Sequence, residues 1–354
     1  MWFTTVTSEY RTDRAQLIKL LSILSCTFTL PSSCSSYADP TPDRRTIFEG
    51  RNVYSPSIEY DGSTHMFKMW YGGWQADADY PNDKIYYRQS KDGVNWSGPR
   101  TVLTPSQLPT AISHVNDPSV VTAVNSITKK VQYTMFYTAC VKPCSINSEN
   151  QLWSAVSDDG LHWILHKPLV RAEGAAVPTA VSLDSKGIAV WRVYYSKTSE
   201  DNNKPTHIYM VGVDGDRNAL AGTAIAYTYR GPGVISNPEV RKISGTWDLL
   251  FNVYRRPLGA KRDTADIYVA QSTSSTEWRS GSEMPLITND PNGSVCATVA
   301  PALITFHDRL ILQFGQARYN SSGACDFSNF ESMQQISAEA SWLERVATRQ
   351  ASAQ

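Results

Sequence analysis

The chain has 354 residues, with 33 Lys and Arg against 33 Asp and Glu, so its formal net charge is zero. This balance excludes bulk charge attraction as the basis of partner choice, and it argues against nonspecific nucleic-acid binding, which requires a basic excess. Charged residues make up 19% and aromatic residues 11% of the chain, a composition that excludes a disordered protein and favours a large buried core.

Residues 1–40 differ from the rest of the chain and resemble a secretory leader. Arg11 and Lys19 precede the apolar stretch LLSILSCTFTL, which ends at PSSCSS. A basic segment, an apolar segment and a small-residue exit are typical of a signal peptide. The apolar run is shorter than the ~20 residues that span a bilayer. We therefore expect a secreted or periplasmic protein; an uncleaved leader and lipid attachment at Cys26 are the alternatives.

One pattern recurs about every 60 residues after this leader. A strand that contains proline is followed by a second alternating strand and, in most units, by a third strand that runs into a turn and a Trp. The first strands read NVYSPSIEY, HVNDPSVVTAV, AAVPTAVSLD, VISNPEVRKI and TVAPALITF. Their period-two alternation indicates β-structure, and proline suits the beginning of an innermost strand, which lacks a ladder partner on one side. We predict an all-β, five-bladed β-propeller.

The C-terminal segment has a different pattern. Over Phe327 to Gln350, residues such as Phe330, Met333 and Ile336 recur at a spacing typical of a helix. The predicted organisation is therefore a leader over 1–40, a five-bladed β-propeller over 41–326 and a C-terminal helical tail over 327–354. This helix would cap the outside of the propeller; a partner-binding or flexible tail is the alternative.

Four cysteines remain after the leader, and an even number is typical of an oxidising compartment. Cys140 and Cys144 bracket a loop short enough for a local disulfide, and Cys296 with Cys325 could staple the last hairpin. A zinc site is disfavoured because paired short spacings and a neighbouring His are missing.

The turn strings SKDGVNW and SDDGLHW occupy residues 90–96 and 157–163. Asp-Gly supplies a tight hairpin, and the Trp can pack between adjacent units. They resemble the Asp-box turns of sialidases with one residue missing, and we interpret them as structural.

In a propeller the inner strand of each unit begins at one mouth of the central channel, and the second strand returns to that mouth. Residues that flank the prolines therefore converge with residues that end the returning strands. The candidate substrate-binding residues in these two sets are Arg51, Asn52, Tyr54, His114, Asn116 and Asn237, and Trp74, Lys197, Arg255, Arg256 and Arg318.

The basic members of this set come from several units. They would focus positive potential on one mouth although the molecule is neutral overall. Guanidinium groups bind carboxylates and sulfates, and a Trp such as Trp74 offers a stacking face for a sugar. The expected partner is a carbohydrate, either anionic or polyhydroxylated; solvated arginines at a rim without a ligand are the alternative.

A five-bladed propeller with Asp-Pro-Ser at an inner strand and S-x-D-G-x-x-W turns resembles the arabinanase, β-xylosidase, levansucrase and invertase superfamily of glycoside hydrolases. The resemblance covers about residues 48–325. It implies a base or nucleophile Asp on the first blade, a second Asp that holds the substrate or tunes the acid, and a Glu general acid.

Three carboxyl residues are candidates for catalysis. Asp117, in NDPSV, matches the Asp-Pro element of that superfamily. Glu239, which follows Pro238, and Glu173, in RAEGAAVP, compete for the acid role. The first blade departs from the family pattern because Ser55 stands where the catalytic Asp is placed. Each carboxyl also has a structural alternative, which is a strand-start Asp bonding backbone amides for Asp117 and a surface or loop carboxylate for the two glutamates.

The predicted function is a secreted or surface glycan-processing enzyme that uses acid/base catalysis by carboxylates at the channel mouth. One alternative is a non-catalytic propeller that binds carbohydrate or a partner protein. A weaker alternative is a lyase acting on uronic acids, with Tyr54 or His114 abstracting the proton. No cofactor, metal site, nucleic acid or transmembrane segment is expected. A calcium ion bound in the channel is an open alternative, although no loop has a diagnostic ligand spacing.

Overall fold

A computed structural model of the chain describes most residues from 42 to 346, in the ranges 42–74, 82–109, 111–124, 131–142, 144, 149–171, 174–183, 190–197, 206–220, 222–256, 262–281, 283–326 and 329–346. This part of the chain is all-β, as predicted, with a 3-10 turn at Pro105–Gln107 and a short helix over residues 342–346. The leader predicted over 1–40 lies outside it. None of the described helices is long and apolar enough to cross a membrane.

The strands form three four-stranded antiparallel sheets and one eight-stranded sheet. The first sheet contains β2 (Asn52–Asp61), β3 (Met66–Trp74), β4 (Lys84–Ser90) and β5 (Arg100–Leu103), and the second contains β6 (Ile112–Val124), β7 (Val131–Val141), β8 (Asn150–Ser157) and β9 (Ile164–Val170). The third sheet contains β10 (Ala175–Ser182), β11 (Trp191–Lys197), β12 (His207–Val213) and β13 (Ala224–Thr228). The eight-stranded sheet contains β1 (Asp43–Glu49), β14 (Val234–Ile243), β15 (Thr246–Arg255), β16 (Thr264–Ser272), β17 (Met284–Ile287), β18 (Val295–Phe306), β19 (Arg309–Arg318) and β20 (Ser332–Glu339).

The eight-stranded sheet consists of two antiparallel groups of four strands. One group runs β14-β15-β16-β17 and the other runs β18-β19-β20-β1. A single parallel pair, Ala265 with Ala297, joins them. The inner strands of all the groups, β2, β6, β10, β14 and β18, contact one another in turn, and β18 contacts β2. These five strands therefore form a closed ring around a central channel.

The predicted helix over Phe327–Gln350 is wrong over most of its described length. Ser332–Glu339 is strand β20, which pairs with β19 on one side and with β1 on the other. Residues 332–336 are all buried, because the strand is covered on both faces. Burial on both faces removes the period-two signal, so a spacing of three between Met333 and Ile336 looked helical. Only residues 342–346 are helical in the described part of this segment.

Each inner strand has an irregularity at its proline, and the proline lies within the strand instead of at its beginning. The pairing register shifts across every X-Pro dipeptide. Such a bulge takes the proline out of the hydrogen-bonded ladder, which it cannot join as a donor. The residue before each proline has a left-handed backbone with φ between 47° and 55°: Ser55, Asp117, Val177, Asn237 and Ala300. The bulges re-aim these five side chains toward the channel.

The residue after the proline connects neighbouring inner strands at several of the five prolines. In three of the five positions its side-chain oxygen accepts a hydrogen bond from a backbone N–H of the next inner strand. The pairs are Ser57 with Val120 at 2.9 Å, Ser119 with Ala180 at 2.9 Å, and Glu239 with Leu303 at 3.1 Å. The ring of inner strands is thus held by polar side chains as well as by apolar packing between sheets.

The two S-x-D-G turns are structural, as predicted. In the second turn, the Gly160 N–H donates to Ser157 Oγ at 2.9 Å, and the His162 N–H donates to Asp159 Oδ1 at 2.9 Å. The Gly160 carbonyl accepts a 2.7 Å hydrogen bond from Trp70 Nε1 of the first sheet. Gly160 has φ 76°, and a Cβ there would lie 2.8 Å from the Trp70 ring. Glycine is therefore required for this contact between sheets.

Two disulfides join the described cysteines in the predicted pairs. Cys140 bonds to Cys144, and Cys296 bonds to Cys325. The second bridge ties the start of β18 to the loop that precedes β20, across a sequence separation of 29 residues. It therefore closes a much longer segment than the first bridge, whose sequence separation is 4.

Replacing Cys296 and Cys325 with serine is expected to lower the free energy of unfolding by about 3 to 4 kcal/mol, because the longer loop gains more conformational entropy in the unfolded chain. The matched control replaces Cys140 and Cys144, where the short loop predicts about 2 kcal/mol. Guanidinium unfolding of both double variants measures the difference. Equal losses would contradict an effect of loop length.

Candidate active site at the channel mouth

The channel opens at one end into a cavity of about 360 Å³. Six residues predicted from the sequence line it, and so do residues that the sequence did not single out. The lining residues are Asn52, Tyr54, Ser55, Trp74, Asp83, Asn116, Asp117, Asn237, Tyr254, Val299, Ala300 and Phe330.

Asp117 lies at the bulge of β6, and the residue is 6% exposed. Ser55 Oγ donates to Asp117 Oδ1 at 2.6 Å. Burial raises the pKa of Asp117 above its ordinary value, and hydrogen bonds from Ser55 and Thr138 act in the opposite direction. Ser55 occupies the first-blade position where the resemblance places a catalytic Asp. In this chain the side chain at that position donates to the carboxyl of Asp117 on β6.

A second carboxyl in the same cavity, Asp83, was not predicted from the sequence. It directly precedes β4, and its carbonyl accepts a hydrogen bond from the Val115 N–H at 3.1 Å, which fixes its backbone against the second sheet. Asp83 is buried, with 7% of its surface exposed. Burial raises the pKa of Asp83 to about 7; the hydrogen bond from Tyr54 opposes this shift, and the negative charge of Asp117 adds to it.

Tyr54 connects Asp83 to the second sheet. Its hydroxyl donates to Asp83 Oδ2, and its oxygen accepts from Asn116 Nδ2 at 3.0 Å. Asn52 Nδ2 donates to Asp83 Oδ1 at 3.5 Å. Asn116 Oδ1 is buried and has no hydrogen-bond partner among the described residues. Two of the three asparagines predicted as substrate-binding residues, Asn52 and Asn116, thus hold the Tyr54 and Asp83 side chains.

The opposite wall of the cavity is neutral. Asn237 Nδ2 donates to Asn252 Oδ1 at 2.9 Å and to the Tyr254 hydroxyl at 3.0 Å. The Ala300 N–H donates to the same Asn252 oxygen at 2.7 Å. Burial raises the pKa of Tyr254, so its hydroxyl stays protonated. This wall offers amide and phenol groups, which are suited to hydroxyl ligands.

Glu239 lies two residues beyond Asn237, in the narrower passage of about 20 Å³ that continues the channel. That space holds about one water molecule, so a sugar ring cannot reach the carboxyl there. Thr179 Oγ1 donates to Glu239 Oε2 at 2.7 Å, and Arg241 Nε lies 3.1 Å from Oε1. Together with the Leu303 N–H, these contacts account for Glu239 as a bridge between sheets. Glu173, the other predicted acid, lies outside the described residues.

The predicted basic residues do not line this cavity in the described part of the chain. Three arginines are paired with carboxylates instead: Arg255 with Asp266 at 3.3 Å, Arg256 with Asp263 at 2.9 Å, and Arg318 with Glu331 at 3.3 Å. Lys197 Nζ lies 4.4 Å from the centre of the Tyr209 ring, and Arg51 is exposed. Arg255 and Arg256 line a neighbouring cavity of about 640 Å³, which shares Tyr254 with the first.

His114 lies beside a disulfide and outside the cavity lining. Its Nδ1 is 3.5 Å from Cys144 Sγ, and burial lowers the pKa of its imidazole. The potential ligand atoms of His114, Cys140 and Cys144 all lie within 4.8 Å of one another. Because the two sulfurs are bonded to each other, they offer no thiolate to a metal ion.

The raised pKa of Asp83 predicts a pH dependence of stability. Between about pH 4 and about pH 7, folded Asp83 keeps a proton that the unfolded chain has released, so the free energy of unfolding falls as the pH rises. Asp83→Asn is expected to flatten this fall in urea unfolding at pH 5 and pH 8. A fall remains, because the pKa values of Asp117 and Glu239 are also raised.

Asp308→Asn, at an exposed position on the turn between β18 and β19, is the control for this experiment. It is expected to keep the wild-type pH profile. An unchanged profile in Asp83→Asn would mean that Asp83 is ionised across the whole range.

No family model and no curated protein sequence matches the chain. Solved structures of similar fold include BT0996 in an RGII complex, with a TM-score of 0.63 and 10% identity, covering 85% of this protein and 92% of that one. An α-L-arabinofuranosidase from Lactobacillus brevis has a TM-score of 0.59 and 13% identity, covering 82% and 91%. Native arabinanase Arb43A from Bacillus subtilis has a TM-score of 0.53 and 12% identity, covering 83% and 97%. The predicted resemblance to propeller glycoside hydrolases is confirmed for the fold, which is β-propeller-like.

Proposed function

We propose that the protein is a glycan-processing hydrolase that cleaves a glycosidic bond in the cavity at the channel mouth. The observation that carries this proposal is that two buried carboxyls, Asp83 and Asp117, line one cavity together with Trp74. The similarity of the fold to an arabinofuranosidase and an arabinanase supports the same class of reaction.

Glycoside hydrolysis needs one group that protonates the leaving oxygen and a second that activates or provides the nucleophile. Asp83 and Asp117 repel each other when both are ionised, and burial raises both pKa values. Such a pair retains one proton near neutral pH, so one member is an acid while the other is a base. The pair satisfies the requirement without a carboxyl at Ser55.

The lining of the cavity favours a neutral, polyhydroxylated sugar over an anionic one. Its described residues include no Lys or Arg that would bind a carboxylate. They offer amides and phenols for hydroxyl groups, and the indole of Trp74 offers a stacking face. A cavity of 360 Å³ is near the lower end of the range of about 300 to 1,000 Å³ that is usual for small-molecule sites.

The pairing of the strands supports a propeller of five blades. The two halves of the eight-stranded sheet would be two blades, so that five blades surround the channel, each with one proline-containing inner strand. The two disulfides support an oxidising compartment and thus secretion, in agreement with the leader predicted over 1–40.

A non-catalytic propeller that binds a glycan is the second candidate. Ser55 at the first blade favours it, and so does Glu239, whose carboxylate is engaged by Thr179, Leu303 and Arg241. A uronic-acid lyase has less support, because His114 lies outside the cavity lining and the described lining provides no arginine.

A screen of neutral and acidic polysaccharides, with binding and released sugars measured separately, tests the proposal. We expect release from a neutral glycan by the wild type, and loss of release with retained binding in Asp117→Asn. Binding without release by the wild type would favour the non-catalytic alternative. Release from acidic glycans alone would contradict the proposed substrate class.

A further inference from the structure

The phenol of Tyr54 has a base within hydrogen-bond reach. Burial and the charges of Asp83 and Asp117 raise the pKa of the phenol, so it becomes a nucleophile only when a base takes its proton. Its hydroxyl donates to Asp83 Oδ2, and Asn52 Nδ2 donates to the other oxygen of that carboxyl. A nucleophile, a base within hydrogen-bond reach and a third group that orients the base form the arrangement shared by covalent catalysts. The three side chains come from the first sheet and the residue before β4, so one rigid element positions them.

Access also distinguishes Tyr54 from Asp83. Both residues line the cavity, but Asp83 is buried with both oxygens engaged, whereas Tyr54 is half-buried. Asn116 Nδ2 donates to the Tyr54 oxygen at 3.0 Å, a contact that stabilises negative charge on that oxygen. Tyr54 is therefore the more exposed of the two residues to a sugar in the cavity.

We propose that Tyr54 is the nucleophile of the hydrolysis and that Asp83 is the base that takes its proton. This inference rests on the proposed function and assigns its attacking group. A carboxylate would otherwise be expected in that role.

The reaction has two steps. In the first, the Tyr54 oxygen bonds to the anomeric carbon, its proton passes to the Asp83 carboxylate, and the bond from the anomeric carbon to the leaving oxygen breaks. Asp117, as the carboxylic acid, protonates that oxygen. In the second step, water bonds to the anomeric carbon, its proton passes to the Asp117 carboxylate, and the phenolate leaves and recovers the proton from Asp83.

Benzenesulfonyl fluoride tests the nucleophile without requiring a known sugar. A phenol oxygen bonds to its sulfur, fluoride leaves, and the proton passes to a base. Tyr54 in the wild type is expected to be labelled at neutral pH, as measured by peptide mass spectrometry, and Asp83→Asn is expected to slow this labelling about 10²-fold. Asp83→Glu is expected to restore part of the rate, which a purely structural role of Asp83 would not predict.

The pH profile gives a second readout. With Asp83 as the base, the rate of labelling rises through about pH 7 and then levels off. Asp83 and Asp117 share one proton near neutral pH, and the negative charge of an ionised Asp117 raises the pKa of Asp83. Asp117→Asn removes that charge, so it is expected to move this midpoint to lower pH. An unlabelled Tyr54, or a rate that is the same in Asp83→Asn, would overturn the inference.

Asp248→Asn is the matched control. Asp248 is a buried aspartate that accepts from Gln271 Nε2 at 2.6 Å on β15, away from the mouth, and its replacement is expected to leave the labelling of Tyr54 unchanged. Once the screen has given a substrate, an aryl glycoside of that sugar with Asp117→Gly is expected to leave a glycosyl adduct on Tyr54. An adduct on Asp83 would refute the assignment while leaving the hydrolase proposal intact.

Discussion

Asp117→Asn is expected to lower kcat for release of sugar by about 10²- to 10⁴-fold, the range for loss of a general acid or base. The amide keeps the shape of the side chain and can still accept the 2.6 Å hydrogen bond from Ser55 Oγ. It cannot deliver a proton to the leaving oxygen. Initial rates on the glycan found in the screen, with the melting temperature as a check of folding, measure the effect.

Asp248→Asn is again the control, since Asp248 is also buried and lies six residues along β15 from Tyr254, about 20 Å away at the rise of a strand. We expect its kcat to stay near that of the wild type. If both variants lost activity equally, the loss would reflect charge removal in general. If Asp117→Asn were fully active, Asp117 would have no catalytic role.

Arg241→Met is expected to lower the free energy of unfolding by about 3 to 5 kcal/mol, the usual cost of leaving a buried carboxylate without its partner. Arg241 Nε donates to the Leu303 carbonyl at 3.0 Å and lies 3.1 Å from Glu239 Oε1, and Nη1 donates to the Ala180 carbonyl at 3.3 Å. One guanidinium therefore connects three inner strands. Guanidinium unfolding at pH 7 measures the loss.

Two further variants make this experiment specific. Adding Glu239→Gln to Arg241→Met is expected to recover part of the loss, because the unpaired charge is gone. Arg345→Met breaks an ion pair with Glu339 in which both side chains are exposed, so it is expected to cost less than about 1 kcal/mol. A loss for Arg241→Met as small as that for Arg345→Met would refute the role of the buried bridge.

The repeated strands could be predicted from the sequence because each one carries its own signal. Alternation along the second strands, such as Tyr133 to Tyr137, and the X-Pro dipeptides of the inner strands are local patterns. The identity of β20 was not predictable in the same way. Its partner β1 is distant in the sequence, and the buried Gln334 Nε2 donates to Thr46 Oγ1 of that strand at 2.8 Å.

For the site, the sequence predicted some of the residues that line the cavity, but not how they are paired. Asp117, Asn116 and Asn52 follow from the repeat. Asp83 does not, because it precedes a third strand, and only the folded first sheet brings it against Tyr54. The arginines were predicted at the mouth from their charges alone, without the carboxylates that pair with them, such as Asp266 for Arg255.

The pairing of β1 with β20 has a consequence for how the chain folds as it is synthesised. Thr46 and Gln334 are separated by 288 positions along the chain, so the eight-stranded sheet cannot be completed until almost the whole polypeptide has been synthesised. Contacts between such distant segments form slowly, because the intervening chain must first be ordered. Until then β19 has an edge whose backbone N–H and C=O groups are unpaired, and a chain that lacks β20 keeps this edge permanently. Such an edge can pair with a strand of another chain. A chain truncated before residue 332, which lacks β20, is therefore expected to aggregate instead of remaining a folded monomer.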